Sequence, residues 1–81
     1  MKGKKDRTAF EKAFNKQGSA NGILFGAWGG KDGAGHPTFT YTHKGVTYKG
    51  STGGTTRKDP GREGEGRARN AAHRLRELGR I

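Results

Sequence analysis

Residues 35–50, GHPTFTYTHKGVTYKG, decide the fold of this chain. Large apolar side chains alternate with threonines on both sides of a Lys44-Gly45 break, at Phe39, Tyr41, Val46 and Tyr48. This alternation has the period of a strand with one buried face, and a short break that contains glycine is typical of a tight antiparallel hairpin. The stretch therefore predicts two paired strands with these four side chains on the inner face.

A further strand and a helix are predicted before the hairpin. Residues 23–28 form a short apolar run, in which Gly26 indicates a bulge or a close approach of another backbone. In a regular strand one face would carry Ile23, Phe25 and Ala27, and the other Leu24 and Trp28. Upstream, the residues from Thr8 to Glu11 have the form of a capping box and predict a short helix over residues 8–17.

The C-terminal part predicts a second helix. Between residues 67 and 78 the apolar side chains recur at three- and four-residue steps, at Ala68, Ala71, Ala72, Leu75 and Leu78. Asp59-Pro60 looks like an N-cap followed by proline at the first helical position. However, three glycines follow before residue 67, and each disfavours a helix by about 1 kcal/mol relative to alanine. The predicted start is therefore near Arg67.

Together these elements predict an α+β fold of the order α-β-β-β-α, with a three-stranded antiparallel sheet and both helices on one face. The expected organisation is a basic flexible arm over residues 1–7 and a single domain over residues 8–81. Flexible loops are expected over residues 29–35 and 51–66, which are rich in glycine and polar residues.

Composition narrows the classes of function. The chain has 17 Lys and Arg against 7 Asp and Glu, a net charge of +10, which indicates an anionic partner and most commonly nucleic acid. The sign of the charge excludes an acidic mimic of DNA. Without cysteine there is no disulfide or thiolate metal site, and the three histidines lack the spacing of a zinc site, so no metal or cofactor is expected.

The content of large apolar residues is low. Leu, Ile, Val and Phe make up only ten of the 81 residues, so a basic peptide that folds on binding is an alternative. The helical and strand spacing of these few residues favours a folded domain. No apolar run approaches the roughly 18 residues that span a bilayer, and the N-terminus lacks the apolar stretch of a signal peptide, so a cytoplasmic protein is expected.

Basic side chains follow the polar face of the predicted C-terminal helix. They recur at steps of four, three and four, at Arg69, His73, Arg76 and Arg80. Charged helix faces are usually only solvated, but here Glu77 is the single acid where two would balance the charge. We therefore predict phosphate contact. The footprint is predicted to extend to Lys49, Arg57, Lys58 and Arg62, and to Lys2, Lys4 and Lys5 of the arm.

His36 is the candidate for chemistry. It stands at the entrance of the second strand and has the phase of the outward threonines, Thr38, Thr40, Thr42 and Thr47. The sequence therefore predicts an exposed imidazole on the outer sheet face. A surface histidine taken alone is more often only a polar residue.

Several of these residues resemble the HicA-type small toxins and their phage-encoded relatives, within the element order of the double-stranded-RNA-binding-domain fold. The likeness is carried by Gly35-His36 opening a strand, the Gly45 hairpin, and Arg69-Asn70 leading to Leu75-Arg76 and Gly79. It implies a metal-independent mRNA interferase with His36 as its catalytic residue and an acidic antitoxin-like protein as partner.

In that chemistry a neutral imidazole takes the proton of a ribose 2′-hydroxyl, and nearby cations stabilise the phosphorane. A leaving-group acid is also needed, and His43, His73 and Lys49 stay open for it. The alternative is a non-catalytic accessory protein of a phage or mobile element that binds nucleic acid or a host nucleoprotein complex. In either case RNA is favoured over DNA, because domains of this order recognise RNA mainly by shape.

Overall fold

The computed structural model describes residues 4–52 and 59–81 and confirms the predicted α+β fold. The elements are α1 Lys4–Gly18, a 3-10 turn at Ser19–Asn21, β1 Ile23–Lys31, β2 Pro37–His43, β3 Val46–Ser51 and α2 Pro60–Glu77. The strands form one antiparallel sheet in the order β1-β2-β3. Within the described residues, neither helix is long and apolar enough to cross a membrane.

The predicted hairpin joins β2 to β3. Lys44 and Gly45 both have positive φ, 50° and 80°, and the pair His43–Val46 flanks them, as in a type I′ turn. Tyr48 stacks on Tyr41 with ring centroids 5.5 Å apart, as the inner-face prediction requires. Val46 differs from the prediction, because at the end of the sheet it is 44% exposed.

Both helices pack on one face of the sheet around an aromatic core. Its buried members are Phe10, Phe14, Ile23, Phe39, Tyr41, Ala68, Ala71, Ala72 and Leu75. The ring of Phe10 lies 5.2 Å from Trp28 and 5.3 Å from Phe39, so this α1 side chain joins two strands. The predicted α2 stripe is buried as far as Leu75, whereas Leu78 follows the helix and is exposed.

The predicted irregularity at Gly26 is a bulge that changes which side chains face the core. The register between β1 and β2 shifts between Phe25 and Trp28. Because the bulge adds a residue, Trp28 returns to the inner face, 5.2 Å from Phe25, and Ala27 is exposed. The prediction that Ala27 faces inward and Trp28 outward is therefore wrong.

The outer sheet face is less exposed than predicted at Thr38 and Thr40, whereas Thr47 is exposed as predicted. Thr38 is buried, and its hydroxyl donates a hydrogen bond of 2.6 Å to the Gly30 carbonyl. Thr40 lies so close to Gly26 that a Cβ there would be 2.6 Å from the threonine Oγ1. These two threonines therefore pack on the glycines of β1.

Helix α1 starts earlier than predicted and runs antiparallel to β1. It begins at Lys4, so Thr8 is an interior position and the predicted capping box is wrong. At its N-terminal end the Arg7 guanidinium lies 5.3 Å above the Trp28 ring. At its C-terminal end Gly18 is packed against the backbone of Ile23.

Helix α2 also starts earlier than predicted, at Pro60 instead of Arg67. The Asp59 carboxylate accepts hydrogen bonds from the amides of Gly61 and Arg62. The predicted N-cap at Asp59 is therefore the actual start of the helix. The glycines that argued against a helix include Gly64, where α2 crosses α1 at close range. The predicted loop over residues 51–66 is therefore largely helix, apart from residues 53–58, which lie outside the described part.

Helix α2 runs antiparallel to β3. About two turns into the helix Arg67 donates to the Thr52 carbonyl at 2.6 Å, and about two turns later Arg74 donates to the Lys49 carbonyl at 3.4 Å. Both helices therefore begin at the end of the sheet that carries the β1–β2 loop. We call this the His36 end, and the opposite end, with the β2–β3 turn, the hairpin end.

Candidate nucleic-acid interface

The β1–β2 loop is organised by one aspartate. Asp32 Oδ1 accepts hydrogen bonds of 2.9 Å from the amides of both Ala34 and His36, and the Asp32 amide donates to the His36 carbonyl at 2.8 Å. These amides are satisfied by the carboxylate, so they are not free to cradle a phosphate. Strand β1 extends through Lys31, which leaves a short ordered turn where the sequence predicts a flexible loop over residues 29–35.

His36 sits half-exposed beside the same carboxylate. Its Nδ1 lies 3.7 Å from Asp32 Oδ2, and 38% of its side chain is exposed. Asp32 Oδ2 also accepts a hydrogen bond of 3.0 Å from Ser51 Oγ at the end of β3. With Nδ1 turned towards the carboxylate, Nε2 is the ring nitrogen that points away from it. A ligand at the His36 end would therefore meet Nε2.

The pKa of Asp32 is lowered, chiefly by the hydrogen bond that the His36 amide donates to its carboxylate. Partial desolvation opposes this change, while Ser51, the Ala34 amide and the charge of His36 support it. A carboxyl group with a lowered folded-state pKa stabilises the fold above its unfolded pKa. That contribution is lost as the pH falls through the folded-state pKa.

We therefore expect Asp32→Asn to melt below the wild type at pH 7, and the difference in Tm to shrink as the pH falls below about 4. At low pH both chains carry a neutral group there, which removes the advantage of the carboxylate. Thermal unfolding followed by circular dichroism between pH 7 and pH 2 measures the difference. Asp6→Asn, in the first turn of α1, is the matched control. A Tm difference for Asp32→Asn that stays constant to pH 2 would contradict this role.

The histidines proposed as second proton-transfer groups are not brought to His36. His43 is 4% exposed, faces the core and ends β2 at the hairpin end. At about 3.3 Å per residue, the length of β2 separates it from His36 by roughly 20 Å. His73 is on α2, where its Nε2 lies 2.9 Å from Glu77 Oε1. His43 is thus excluded as a partner of His36 on one phosphate.

The predicted cationic stripe on α2 is partly neutralised. Arg69 forms a salt bridge with Glu65, and His73 contacts Glu77. The sequence prediction leaves Glu65 outside the helix, because the predicted start is too late. Arg76 and Arg80 are exposed and have no acidic partner among the residues that the structure describes.

The remaining predicted contacts are scattered. Lys49 is exposed on β3, with its side chain on the sheet face opposite to Tyr48. Arg62 lies 3.8 Å from the Asp59 carboxylate. Arg57, Lys58 and Lys2 lie outside the described residues.

The His36 end carries two cations that the helix pattern alone does not connect. Lys5 lies in the first turn of α1, and Lys31 ends β1 next to the His36 loop. Both side chains are exposed, and neither has an acidic partner within residues 4–52 and 59–81. The N-terminal turn of α1 carries partial positive charge and adds to the potential of these lysines, whereas the N-terminus of α2 is capped by the Asp59 carboxylate. Sequence reasoning misses Lys31 because its position depends on the sheet register.

Comparisons with known proteins give no relative from which a role could be transferred. No protein-family model matches the chain, and searches of curated proteins and of solved structures found no match. Among the described residues, no three His, Cys, Asp or Glu side chains are grouped so that they could hold a metal ion. The function must therefore be argued from the charges and the geometry of the His36 end.

Proposed function

We propose that this protein binds RNA, in double-helical regions, through the His36 end. The observation that carries the proposal is that Lys5, Lys31, His36 and the N-terminal turn of α1 all lie at one end of the domain. Phosphates are attracted both by lysines and by helix N-termini. One end of the molecule thus offers several anion contacts at different points.

The burial of the aromatic residues supports a duplex over a single strand. Proteins that hold single strands generally stack bases on exposed aromatic rings. Here Tyr41 is 3% exposed, while Trp28 and Tyr48 pack against the core. An A-form helix instead presents a wide, shallow minor groove lined with 2′-hydroxyls, which domains of this element order recognise by shape. The half-exposed imidazole of His36 is a polar group that can meet such a groove.

The test compares three ligands of one sequence: an RNA duplex of about 20 base pairs, long enough to span two successive minor grooves, the matching DNA duplex and the single-stranded RNA. Fluorescence anisotropy between about 50 and 200 mM salt gives each Kd and its salt dependence. We expect the RNA duplex to bind tightest, with log K falling by about 0.9 per phosphate contact for each tenfold rise in salt. Equal affinity for all three ligands would indicate attachment by charge alone, and absence of binding would refute the proposal.

Cleavage at His36 is a second candidate, favoured by the placement of the Asp32 carboxylate beside His36 Nδ1. In this step Nε2 takes the proton of a 2′-hydroxyl, the 2′-oxygen bonds to phosphorus, and the bond from phosphorus to the 5′-oxygen breaks as that oxygen takes a proton from water. The products are a 2′,3′-cyclic phosphate and a 5′-hydroxyl end. Asp32 would stabilise the imidazolium that forms. Among the described residues no second histidine lies nearby, so binding without cleavage is the main proposal.

The same duplex and single-stranded RNA, analysed on a denaturing gel with chelator present, decide between the two. Cleavage that disappears in His36→Ala while RNA binding persists would establish the enzyme, and intact RNA at excess protein would leave binding alone. In the first case a HicA-like role predicts that an acidic antitoxin-like protein co-purifies with the chain. In the second, a host nucleoprotein complex is a further target to test by co-sedimentation.

A further inference from the structure

A groove of about 150 Å³ runs between β3 and the middle of α2. Its lining combines an apolar floor with a polar, cationic rim and contains no acidic side chain. The lining residues are Phe39, Tyr41, Gly50, Ser51, Arg67, Asn70, Ala71 and Arg74. Neither the predicted cationic stripe nor the His36 end includes the arginines of this groove.

The two arginines are held in place by the edge of the sheet. Arg67 donates to the Thr52 carbonyl and Arg74 to the Lys49 carbonyl, at 2.6 and 3.4 Å. A guanidinium has five N–H donors, so each retains donors for a ligand. Because these contacts restrain the two guanidiniums before binding, less side-chain entropy is lost when they bind an anion. Asn70 lies between them on the same flank of α2 and adds an amide.

Tyr41 completes the floor beside Arg74. Burial raises the pKa of the Tyr41 hydroxyl, and the Arg74 guanidinium, which is hydrogen-bonded to it, partly opposes that change. The hydroxyl therefore stays neutral at physiological pH, and the positive charge of Arg74 is not cancelled by a phenolate.

We infer that this groove binds a phosphomonoester, the terminal phosphate of a nucleotide or of a nucleic acid strand. The dianion of such a group matches two guanidiniums, which bind phosphate oxygens in a bidentate manner. A recess between a strand and a helix can admit the terminal phosphate of a nucleic acid strand. Internal phosphodiesters lie along the outer backbone of a duplex and do not enter such a recess. The inference rests on the proposed function only in taking the phosphate to come from nucleic acid.

A peptide strand added to β3 is a less suitable occupant. Arg74 already occupies the carbonyl that Lys49 presents at the free edge of the sheet. An added strand would need that carbonyl for its own hydrogen bonds. A small anion can instead bind Arg74 without breaking its hydrogen bond to the Lys49 carbonyl.

The test uses 5′-AMP, adenosine and inorganic phosphate as probes, with binding measured by calorimetry and by shifts of the arginine Nε–H and asparagine amide NMR signals. We expect saturable binding of 5′-AMP that shifts signals of Arg67, Asn70 and Arg74, and none for adenosine. Binding of phosphate alone at the same signals would assign the site to the phosphate group itself. Equal binding of adenosine and 5′-AMP, or shifts only elsewhere, would overturn the inference.

Variants separate this site from the RNA interface. Arg67→Gln and Arg74→Gln should each weaken 5′-AMP binding at least about tenfold, the effect of removing one charge-assisted hydrogen bond. Lys16→Gln, on α1 at the hairpin end, is the matched removal of one charge and should leave it unchanged. Arg74→Lys keeps the charge without the bidentate geometry, and a cooperative melt verifies that each variant is folded. Unchanged 5′-AMP binding in both glutamine variants would refute the site.

The two proposals fail independently. A duplex RNA without terminal phosphates should bind to Arg67→Gln and Arg74→Gln as it binds to the wild type. If that duplex binds and 5′-AMP does not, the groove inference is wrong while the proposed function stands. If 5′-AMP binds at the groove and no duplex binds, the proposed function is wrong and the site remains.

Discussion

Replacing Gly64 with alanine is expected to lower the Tm by roughly 12 °C or more. A Cβ at this position would lie 2.3 Å from the carbonyl oxygen of Phe10, an atom of the α1 backbone that cannot rotate away. An inserted methyl group typically costs about 1–3 kcal/mol, and contact with a fixed backbone belongs at the upper end or beyond. For a domain of this size each kcal/mol corresponds to about 4–8 °C. Thermal unfolding by circular dichroism measures the change.

The matched control is Gly61→Ala in the first turn of the same helix. There the nearest atom to an added Cβ is Asp59 Oδ1 at 3.3 Å, a side-chain atom that can shift. Alanine also favours a helix over glycine by about 1 kcal/mol, so this variant should remain within about 1 kcal/mol of the wild type. If Gly64→Ala has the same Tm as Gly61→Ala, α2 does not pack against the Phe10 backbone at this close range.

Reversing two charges at the His36 end, in the double variant Lys5→Glu and Lys31→Glu, is expected to weaken binding of duplex RNA at least about tenfold at roughly 100 mM salt. Two cations that approach phosphates become anions that repel them. The magnitude of the salt slope should fall by about one unit for each phosphate that the variant no longer neutralises. Anisotropy with the labelled RNA duplex gives both quantities.

The control carries the same change of charge at the hairpin end, with Lys16→Glu and Lys44→Glu. If the His36 end is the interface, this double variant keeps most of the affinity, because only the long-range field has changed and salt screens it. A third double variant, Arg76→Glu and Arg80→Glu, tests the stripe predicted from sequence. A greater weakening there than in the Lys5 and Lys31 variant would place the interface along α2 and refute the His36 end.

Local patterns account for the parts of the fold that are predicted correctly. The β2–β3 hairpin follows from alternation around Lys44-Gly45, and the buried stripe of α2 follows from its three- and four-residue steps. In each case the residues that define the pattern are neighbours on one element. Such an element is buried whenever its apolar face packs against another apolar face, whichever element supplies it. Its type and its buried side can therefore be predicted from the sequence alone.

The errors arise where a long-range contact overrides a local preference. Gly64 weakens a helix taken alone, but in the folded chain it lets α2 approach the backbone of Phe10. The bulge after Phe25 turns Trp28 to the core, and a bulge shifts side chains in a way that strict alternation cannot anticipate. The salt bridge of Glu65 with Arg69 escapes prediction because it depends on where α2 begins.

The sequence by itself determined the element order, the tight hairpin and the strong positive charge, because composition and short-range periodicity are properties of the chain. Only the tertiary structure decided which charges lie at the same end of the domain. Antiparallel packing of each helix on the sheet brings the start of α1, the end of β1 and the start of α2 to the His36 end. The same packing buries His43 at the hairpin end and sets Arg67 and Arg74 along the edge of β3. Such placements depend on strand register and helix direction, which side-chain patterns within a single element do not encode.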